Sequence, residues 1–256
     1  MRVEYGESVY YYLPLSDDEI FMNDLLGHNI TLEFTGQINC IKCGRLIKRS
    51  FAQGYCYPCF ISVPETDDCI LRPELCLAHE GISRDMDWSA KHCLQDHYVY
   101  LALSSAIKVG VTRASQVPIR WIDQGAWKAL PIAKTPNRFL AGTIEVFLKN
   151  HLTDKTNWRH MLVNKLDLVS DLLFARKKIE SILPDEMYQH FFSHGEVFEI
   201  NYPVNVYPAK VKSVSFDKRN IVSGKLAGIR GQYLIFENGE VLNIRKHGGY
   251  MIMMTA

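Results

Sequence analysis

Residues 40–60 read CIKCGRLIKRSFAQGYCYPCF, a stretch with two Cys-x-x-Cys pairs twelve residues apart. Two such pairs can bring four thiolates to one tetrahedral zinc ion, and Gly44 and Gly54 ease the tight turns around them. The stretch predicts a zinc ribbon, a module folded by its metal because it is too short to form a core. Redox cysteines or unrelated core cysteines are the alternatives. The predicted zinc ligands are Cys40, Cys43, Cys56 and Cys59.

Three more cysteines follow the ribbon, and all seven lie between residues 40 and 93. Cys93 and His97 have the spacing Cys-x-x-x-His, which suits a metal site. This pattern predicts a second zinc site, for which buried cysteines and ordinary surface histidines are the alternative. The predicted ligands are Cys69, Cys76, Cys93 and His97, with His79 as the substitute for the histidine.

The composition excludes several classes of protein. The 256 residues are 47% hydrophobic and carry 29 basic and 28 acidic side chains, unlike disordered, collagen-like or membrane-spanning chains. The longest apolar runs are too short to span a bilayer, and the N-terminus lacks the pattern of a secretory signal. We therefore expect a cytoplasmic protein with no membrane partner, in a reducing compartment where clustered cysteines favour metal binding.

Charge is distributed unevenly along the chain. Residues 1–97 carry a net charge of −7, residues 98–165 one of +7, and residues 166–256 one of +1. A basic middle segment favours a phosphate-bearing partner, although a solvated basic face gives the same charge.

The middle segment alternates short apolar runs with amphipathic ones. YVYLAL, IKVGVT and ALPIA predict strands, and the residues after Pro118 predict a helix. A second helix is predicted with Thr135 as its N-cap and Pro136 at its first position. Further helices are predicted over residues 155–162 and 166–183.

This order of elements resembles the GIY-YIG nuclease domain. Tyr98-Val99-Tyr100 stands where the GIY element would be and Lys108-Val109-Gly110 where YIG would be. The resemblance implies that a tyrosine helps to activate water, that Arg120 holds the scissile phosphate and that Glu145 binds Mg²⁺ or Mn²⁺. The implied catalytic residues are Tyr98, Tyr100, Lys108, Arg120 and Glu145.

The sequence also departs from that pattern. Lys108 replaces the second tyrosine, and Gln124 replaces the histidine often found one turn after the arginine. A domain that binds phosphate without hydrolysing it is therefore an open alternative. The string RWIDQGA adds side chains that could stack on a base or hydrogen-bond to its edge. The alternative is that its tryptophan is simply packed in the protein core. The predicted nucleic-acid contacts are Arg113, Trp121, Gln124 and Lys128.

The chain as a whole resembles an uncharacterised bacterial family in which a zinc ribbon precedes a GIY-YIG-like core. The strings that carry the resemblance are CIKCGRLIKRSFAQGYCYPCF, RPELC, HYVYLALSSAIKVGVTR, RWIDQGA, DKTNW and GIRGQYLIFENGEVLNIRK. Part of this family has another cysteine near the position of Ser83, which leaves the ligands of the second metal site open.

From about Glu196 the chain alternates β-prone runs with turns, and Asn238-Gly239 predicts a hairpin. We expect an α+β protein with a small barrel-like C-terminal region. The N-terminal segment is expected either to pair with this region or to extend the zinc ribbon. The expected divisions are a β-rich segment (1–37), a zinc module (38–97), a GIY-YIG-like domain (98–165), a connecting helix (166–194) and a β-rich domain (195–256).

Three functions fit these observations. The first is a zinc-containing endonuclease that cleaves phosphodiester bonds in DNA or RNA with a divalent cation. The second is a zinc-ribbon protein that binds nucleic acid without cleaving it. The third is a zinc-stabilised scaffold for a protein partner. The sequence leaves the oligomeric state open.

Overall fold

A computed structural model describes residues 1–15, 18–152 and 157–256. The longer strands are β1 (Arg2–Tyr5), β2 (Val9–Leu15), β3 (Asp18–Phe21), β4 (Asn29–Asn39), β6 (His97–Leu103), β7 (Ile107–Arg113), β8 (Lys128–Thr135), β11 (Ile221–Arg230), β12 (Tyr233–Phe236), β13 (Glu240–Asn243) and β14 (Tyr250–Thr255). The shorter ones are β5 (Leu46–Ile47), β9 (Phe198–Glu199) and β10 (Lys212–Val214). The helices are α1 (Tyr57–Ser62), α2 (Met86–His92), α3 (Ile119–Asp123), α4 (Arg138–Lys149), α5 (Trp158–Leu162), α6 (Leu172–Glu180) and α7 (Asp185–Tyr188).

The α+β architecture expected from the sequence is confirmed, with the strands in three sheets. Strands β1, β2 and β3 form an antiparallel sheet, and β7-β6-β8-β9 form a second one. The third has the order β10-β13-β12-β11-β4-β14, with β5 paired to β4, and it curls into half a barrel. The hairpin expected at Asn238-Gly239 is confirmed, since β12 and β13 pair across it.

The N-terminal strand β4 lies inside the curled sheet. It pairs antiparallel with β11 on one side and with β14 on the other. Its C-terminal end also pairs with β5 and leads directly into the first Cys-x-x-Cys pair. One strand therefore connects the curled sheet with the cysteine-rich segment, whereas β1, β2 and β3 form a sheet of their own.

The middle sheet has a core on each face. One face carries Val99 and Leu101, which pack with Ile144 and Leu148 of α4. The other carries Tyr100, which packs with Trp121 in a core shared with strands of the other two sheets. Because neighbouring strand residues face opposite ways, β6 separates the two cores and is buried along nearly its whole length.

Two helices begin later than the sequence predicted. Asn137, not Thr135, caps α4 by accepting a bond from the amide of Leu140, because Thr135 is held in β8 by its pairing with β6. In the predicted helix 166–183, only Leu172–Glu180 is α-helical. There Asp167 accepts amides in a local turn and Asp171 caps the helix, so aspartate side chains compete with the backbone for the first turns. Residues 155 and 156 of another predicted helix lie outside the described residues.

Candidate metal centres and polar site

The first cysteine cluster forms where a strand ends and a helix begins. Cys40 and Cys43 follow β4, and Cys56 and Cys59 lie at the N-terminal end of α1. The four sulfur atoms lie within 4.8 Å of one another. This set of four thiols fits a closed, tetrahedral zinc site.

The backbone around this cluster favours thiolates. The amide of Cys56 donates to the Cys40 sulfur at 3.2 Å. Burial opposes ionisation, but amide hydrogens of Cys43, Cys56 and Lys42 outweigh it and lower the pKa of Cys40 to about 6. Gly54 has a φ of 144°, and a Cβ there would lie 2.8 Å from Ile41, so this turn requires glycine. Since zinc binds the deprotonated thiol, the local geometry is suited to the metal.

The second cluster contains Cys69, Cys76 and Cys93, whose sulfur atoms also lie within 4.8 Å of one another. All three side chains are buried, and hydrogen bonds from the other two thiols lower the pKa of Cys76. The cluster is tied to α4 by Arg138, which donates to the carbonyl of Cys69 at 3.1 Å and to that of His92 at 3.2 Å. Hydrogen bonds with the other two thiols raise the pKa of Cys69. For Cys93 the contact with Cys69 lowers the pKa, but the contact with Cys76 and burial outweigh it and raise the pKa. The nearby charge of Arg138 acts in the opposite direction and lowers the pKa of all three thiols.

Close packing also fixes the second cluster on the middle sheet. Gly142 of α4 lies against the turn at residues 73–75, and a Cβ there would lie 2.2 Å from the amide nitrogen of Glu74. Only glycine permits this approach of two backbones. The loop that carries Cys76 is thereby held against α4.

The two predicted histidine ligands lie outside the group of three sulfurs. His97 begins β6, is 2% exposed and has its Nδ1 2.6 Å from the carbonyl oxygen of Gln95. Its buried Nε2 has no hydrogen-bond partner within the described parts of the chain, and burial lowers the pKa of His97 to about 4. His79 stacks on Phe139, with ring centroids 4.4 Å apart. His97 as a ligand therefore stays a prediction, as does His79.

A polar site surrounds the hydroxyl of Tyr100 on the middle sheet. This hydroxyl donates to Oε1 of Gln124 at 2.9 Å. Burial raises the pKa of Tyr100 to about 12, while the nearby charge of Arg120 lowers it and that of Glu145 raises it. Tyr100 therefore keeps its proton at neutral pH. The guanidinium of Arg120 on α3 and the carboxylate of Glu145 on α4 therefore both act electrostatically on this phenol of β6.

Gly110 makes room for this site. It lies opposite Tyr100 in the register of β6 and β7, and a Cβ there would lie 2.6 Å from the Tyr100 hydroxyl. Glu145 is 7% exposed and lies 3.4 Å from the Nζ of Lys149.

The other two residues of the predicted catalytic set lie further along the sheet. Tyr98 packs edge-on against Phe192, with ring centroids 6.3 Å apart. Lys108 pairs with Ala102 in the strand register and is partly exposed.

The predicted nucleic-acid contacts have different surroundings. Trp121 is fully buried, between the rings of Tyr100 and Phe198, and presents no face to a base. Gln124 accepts the bond from Tyr100 described above. Lys128 pairs with Glu199 at 2.9 Å. Arg113 is partly buried, and burial lowers its pKa. Trp121 is therefore packed in the core, which is the alternative considered for the string RWIDQGA.

Sequence reasoning missed Arg138 and the burial of Arg230. Arg138 is the first residue of α4, where a positive charge is unfavourable because it lies at the positive end of the helix dipole. This unfavourable position could have indicated that its side chain bonds to another part of the fold. Arg230 is 1% exposed and bonds residues more than 60 positions away, for which the local sequence gives no signal.

These features define a mixed α+β protein with one four-cysteine and one three-cysteine cluster, both compatible with zinc. The chain belongs to the family described as Protein of unknown function (DUF2797), which it matches over residues 27–252. No curated protein and no solved structure matches it. Within the described residues, every helix is too short or too polar to cross a bilayer.

Proposed function

We propose that this protein is a zinc-stabilised nucleic-acid-acting protein, with a GIY-YIG-like site for phosphodiester cleavage around Tyr100. The observation that carries the proposal is the hydrogen bond from the Tyr100 hydroxyl to Gln124, together with the charges of Arg120 and Glu145, which both act on the pKa of Tyr100. These groups come from the three elements that the resemblance assigns to such a site.

The chemistry of these side chains suits a phosphodiester. The guanidinium of Arg120 can donate two parallel hydrogen bonds to phosphate oxygens. Glu145 offers the hard oxygen ligand that Mg²⁺ and Mn²⁺ prefer. Tyr100, which keeps its proton, donates a hydrogen bond and so orients Gln124 within the site.

A basic cleft supports contact with nucleic acid. This cleft, of about 360 Å³, lies between the first cysteine module and the curled sheet. It is lined by the cations Lys48, Arg49 and Lys246, with Asp217 as the acidic side chain, so the lining is cationic overall. Such a cleft attracts a phosphate backbone independently of base sequence.

The module is held rigidly beside this cleft. The amide of Asn39 donates to the carbonyl of Gly249 at 2.8 Å. A Cβ at Gly248 would lie 2.2 Å from the carbonyl oxygen of Gln53, so the two backbones touch. Zinc in the first cluster would fix the hairpin that carries Lys48 and Arg49, which gives the metal a role in binding.

A specific observation favours the non-catalytic alternative. Tyr100 has no exposed surface and its hydroxyl is bonded to Gln124, so reacting groups reach it only after a local rearrangement. A protein that keeps the basic cleft and has lost turnover fits this burial.

Cleavage assays with a matched pair of variants test the proposal. Labelled single- and double-stranded DNA and RNA are incubated with the protein and Mg²⁺ or Mn²⁺. Glu145→Gln should abolish metal-dependent cleavage, whereas Glu33→Gln, at an exposed position of β4, should leave it unchanged. Cleavage that persists in folded Glu145→Gln protein contradicts the assignment of this site.

Binding measured at several salt concentrations separates the two alternatives. Replacing Lys48, Arg49 and Lys246 together by alanine should reduce the salt dependence of duplex DNA binding by about 2.7 in log–log slope, at about 0.9 per phosphate contact. Salt-sensitive binding without cleavage supports the non-catalytic alternative. Absence of binding at low salt contradicts both.

A further inference from the structure

We propose that the three-cysteine cluster holds a zinc ion whose fourth coordination position opens into the cavity beside Ser83 and takes a small apolar thiol. This inference concerns a ligand site separate from Tyr100 and is independent of nucleic-acid binding.

The cavity is bounded by all three cysteines of the second cluster. Its volume is about 310 Å³, and Cys69, Cys76 and Cys93 all form part of its wall. Its outer rim includes Ile82, which is 57% exposed, and Ser83, which is also exposed. A small molecule can therefore reach the buried sulfurs from solvent.

Three protein thiolates leave one position of a tetrahedral zinc site to be filled. In the cavity wall, Asp67 is engaged elsewhere, since its carboxylate accepts the amide of Cys69 and pairs with Arg84 at 3.1 Å. Ser83 presents only a hydroxyl, which donates to the sulfur of Met86 at 3.2 Å. A neutral alcohol is a poor ligand beside three soft thiolates.

His97 is the competing donor, because its Nε2 is buried and unpartnered among the described residues. However, His97 lies outside the group of sulfurs within 4.8 Å and does not line the cavity. His97 is held in β6 by strand pairing on both sides, so β6 would have to move for His97 to reach the sulfurs. A ligand that enters through the cavity needs no such movement.

The walls define the chemistry of the ligand. Leu75, Leu77, Ile82 and Trp88 supply apolar surface, which favours a hydrocarbon body. Zinc surrounded by thiolates prefers another soft donor. The nearby cation Arg138 offsets the negative charge that a fourth thiolate would add.

Cobalt substitution provides the test, because tetrahedral Co²⁺–thiolate sites absorb visible light according to their ligands. The full-length protein is loaded with Co²⁺, its metal content is measured, and 1-propanethiol is added. We expect two metals per chain and a shift of the visible bands on addition of the thiol. All four positions of the other metal site are filled by cysteines, so its absorption bands should not change with the thiol and serve as an internal control.

Three variants make the test specific. Ser83→Cys should place a competing thiol in the wall of the cavity, so its spectrum should respond more weakly to 1-propanethiol than that of the wild type. Ser83→Ala should respond as the wild type does. His97→Ala should retain both metals.

Any one of the following results would overturn the inference: a single metal per chain, no response of the wild type to the thiol, an unchanged response in Ser83→Cys, or loss of the second metal in His97→Ala. The last identifies His97 as the fourth ligand. Loss of the second metal in Ser83→Ala would equally contradict it, since Ser83 would then be a ligand itself. Nucleic-acid cleavage and binding do not enter these measurements, so failure here leaves the proposed function untouched.

Discussion

Arg230 is the most deeply buried cation of the described residues and joins three parts of the fold. Its guanidinium donates twice to the carbonyl of Gly125, at 3.0 and 3.1 Å, and once each to the carbonyl of Met161 and the side chain of Asn164. Its centre lies 5.1 Å from the ring centroid of Tyr202. Replacing it with methionine should therefore destabilise the junction between the curled sheet, α3 and α5.

The size of the effect follows from these contacts. Four charge-assisted hydrogen bonds at about 1.5–3 kcal/mol each would give an upper bound near 6–12 kcal/mol. Removal of the charge also relieves the cost of burying it, and methionine recovers part of the packing. We therefore expect Arg230→Met to reduce the free energy of unfolding by about 3–5 kcal/mol, or about 6–20 °C in Tm.

Thermal unfolding followed by circular dichroism measures this change. Arg72→Met is the matched control, since Arg72 is an exposed arginine that pairs with the also exposed Asp68 at 3.5 Å. Its loss should cost less than about 1 kcal/mol because exposed ion pairs contribute little. If Arg230→Met lowered Tm no more than this control, the buried hydrogen bonds would not have the stabilising role assigned to them.

Two further predictions concern packing and pH. Gly142→Ala should force α4 away from the turn at residues 73–75 and reduce the free energy of unfolding by about 1–3 kcal/mol. Zinc should then leave the three-cysteine cluster faster, as measured with a chromophoric chelator. Thr143→Ala is the control, and equal release rates in the two variants would contradict the prediction. Burial lowers the pKa of His247, whose Nε2 accepts a hydrogen bond from the amide of Phe216. The neutral imidazole therefore stabilises the fold at pH values above the unfolded-state pKa of 6.5, and this stabilisation is lost as the pH falls below that value. Between pH 7 and pH 5, Tm should fall more in the wild type than in His247→Gln, and parallel curves would refute this role.

Features set by short-range spacing were predictable from the sequence. Cys40 and Cys43 are three residues apart, so one turn of backbone brings their sulfurs together whatever the rest of the fold does. The hairpin at Asn238-Gly239 and the amphipathic pattern of α4 are likewise local. These features follow from turn chemistry and periodicity, which act over a few residues.

Helix boundaries were less predictable because several local interactions compete there. Thr135, Asn137, Asp167 and Asp171 can all cap a helix, and a local turn at Asp167 left the second cap to Asp171. Thr135 was excluded because β8 pairs with β6 at that residue.

The sequence alone thus determined the four-cysteine cluster and the three cysteines of the second cluster. Only the tertiary structure decided that His97 lies outside the three sulfurs, that Trp121 is buried, and that β4 joins the C-terminal strands. The physical reason is the separation along the chain. Pairing between residues about 190 positions apart, as for β4 and β11, depends on which apolar faces cover each other across the whole molecule, which no local pattern records.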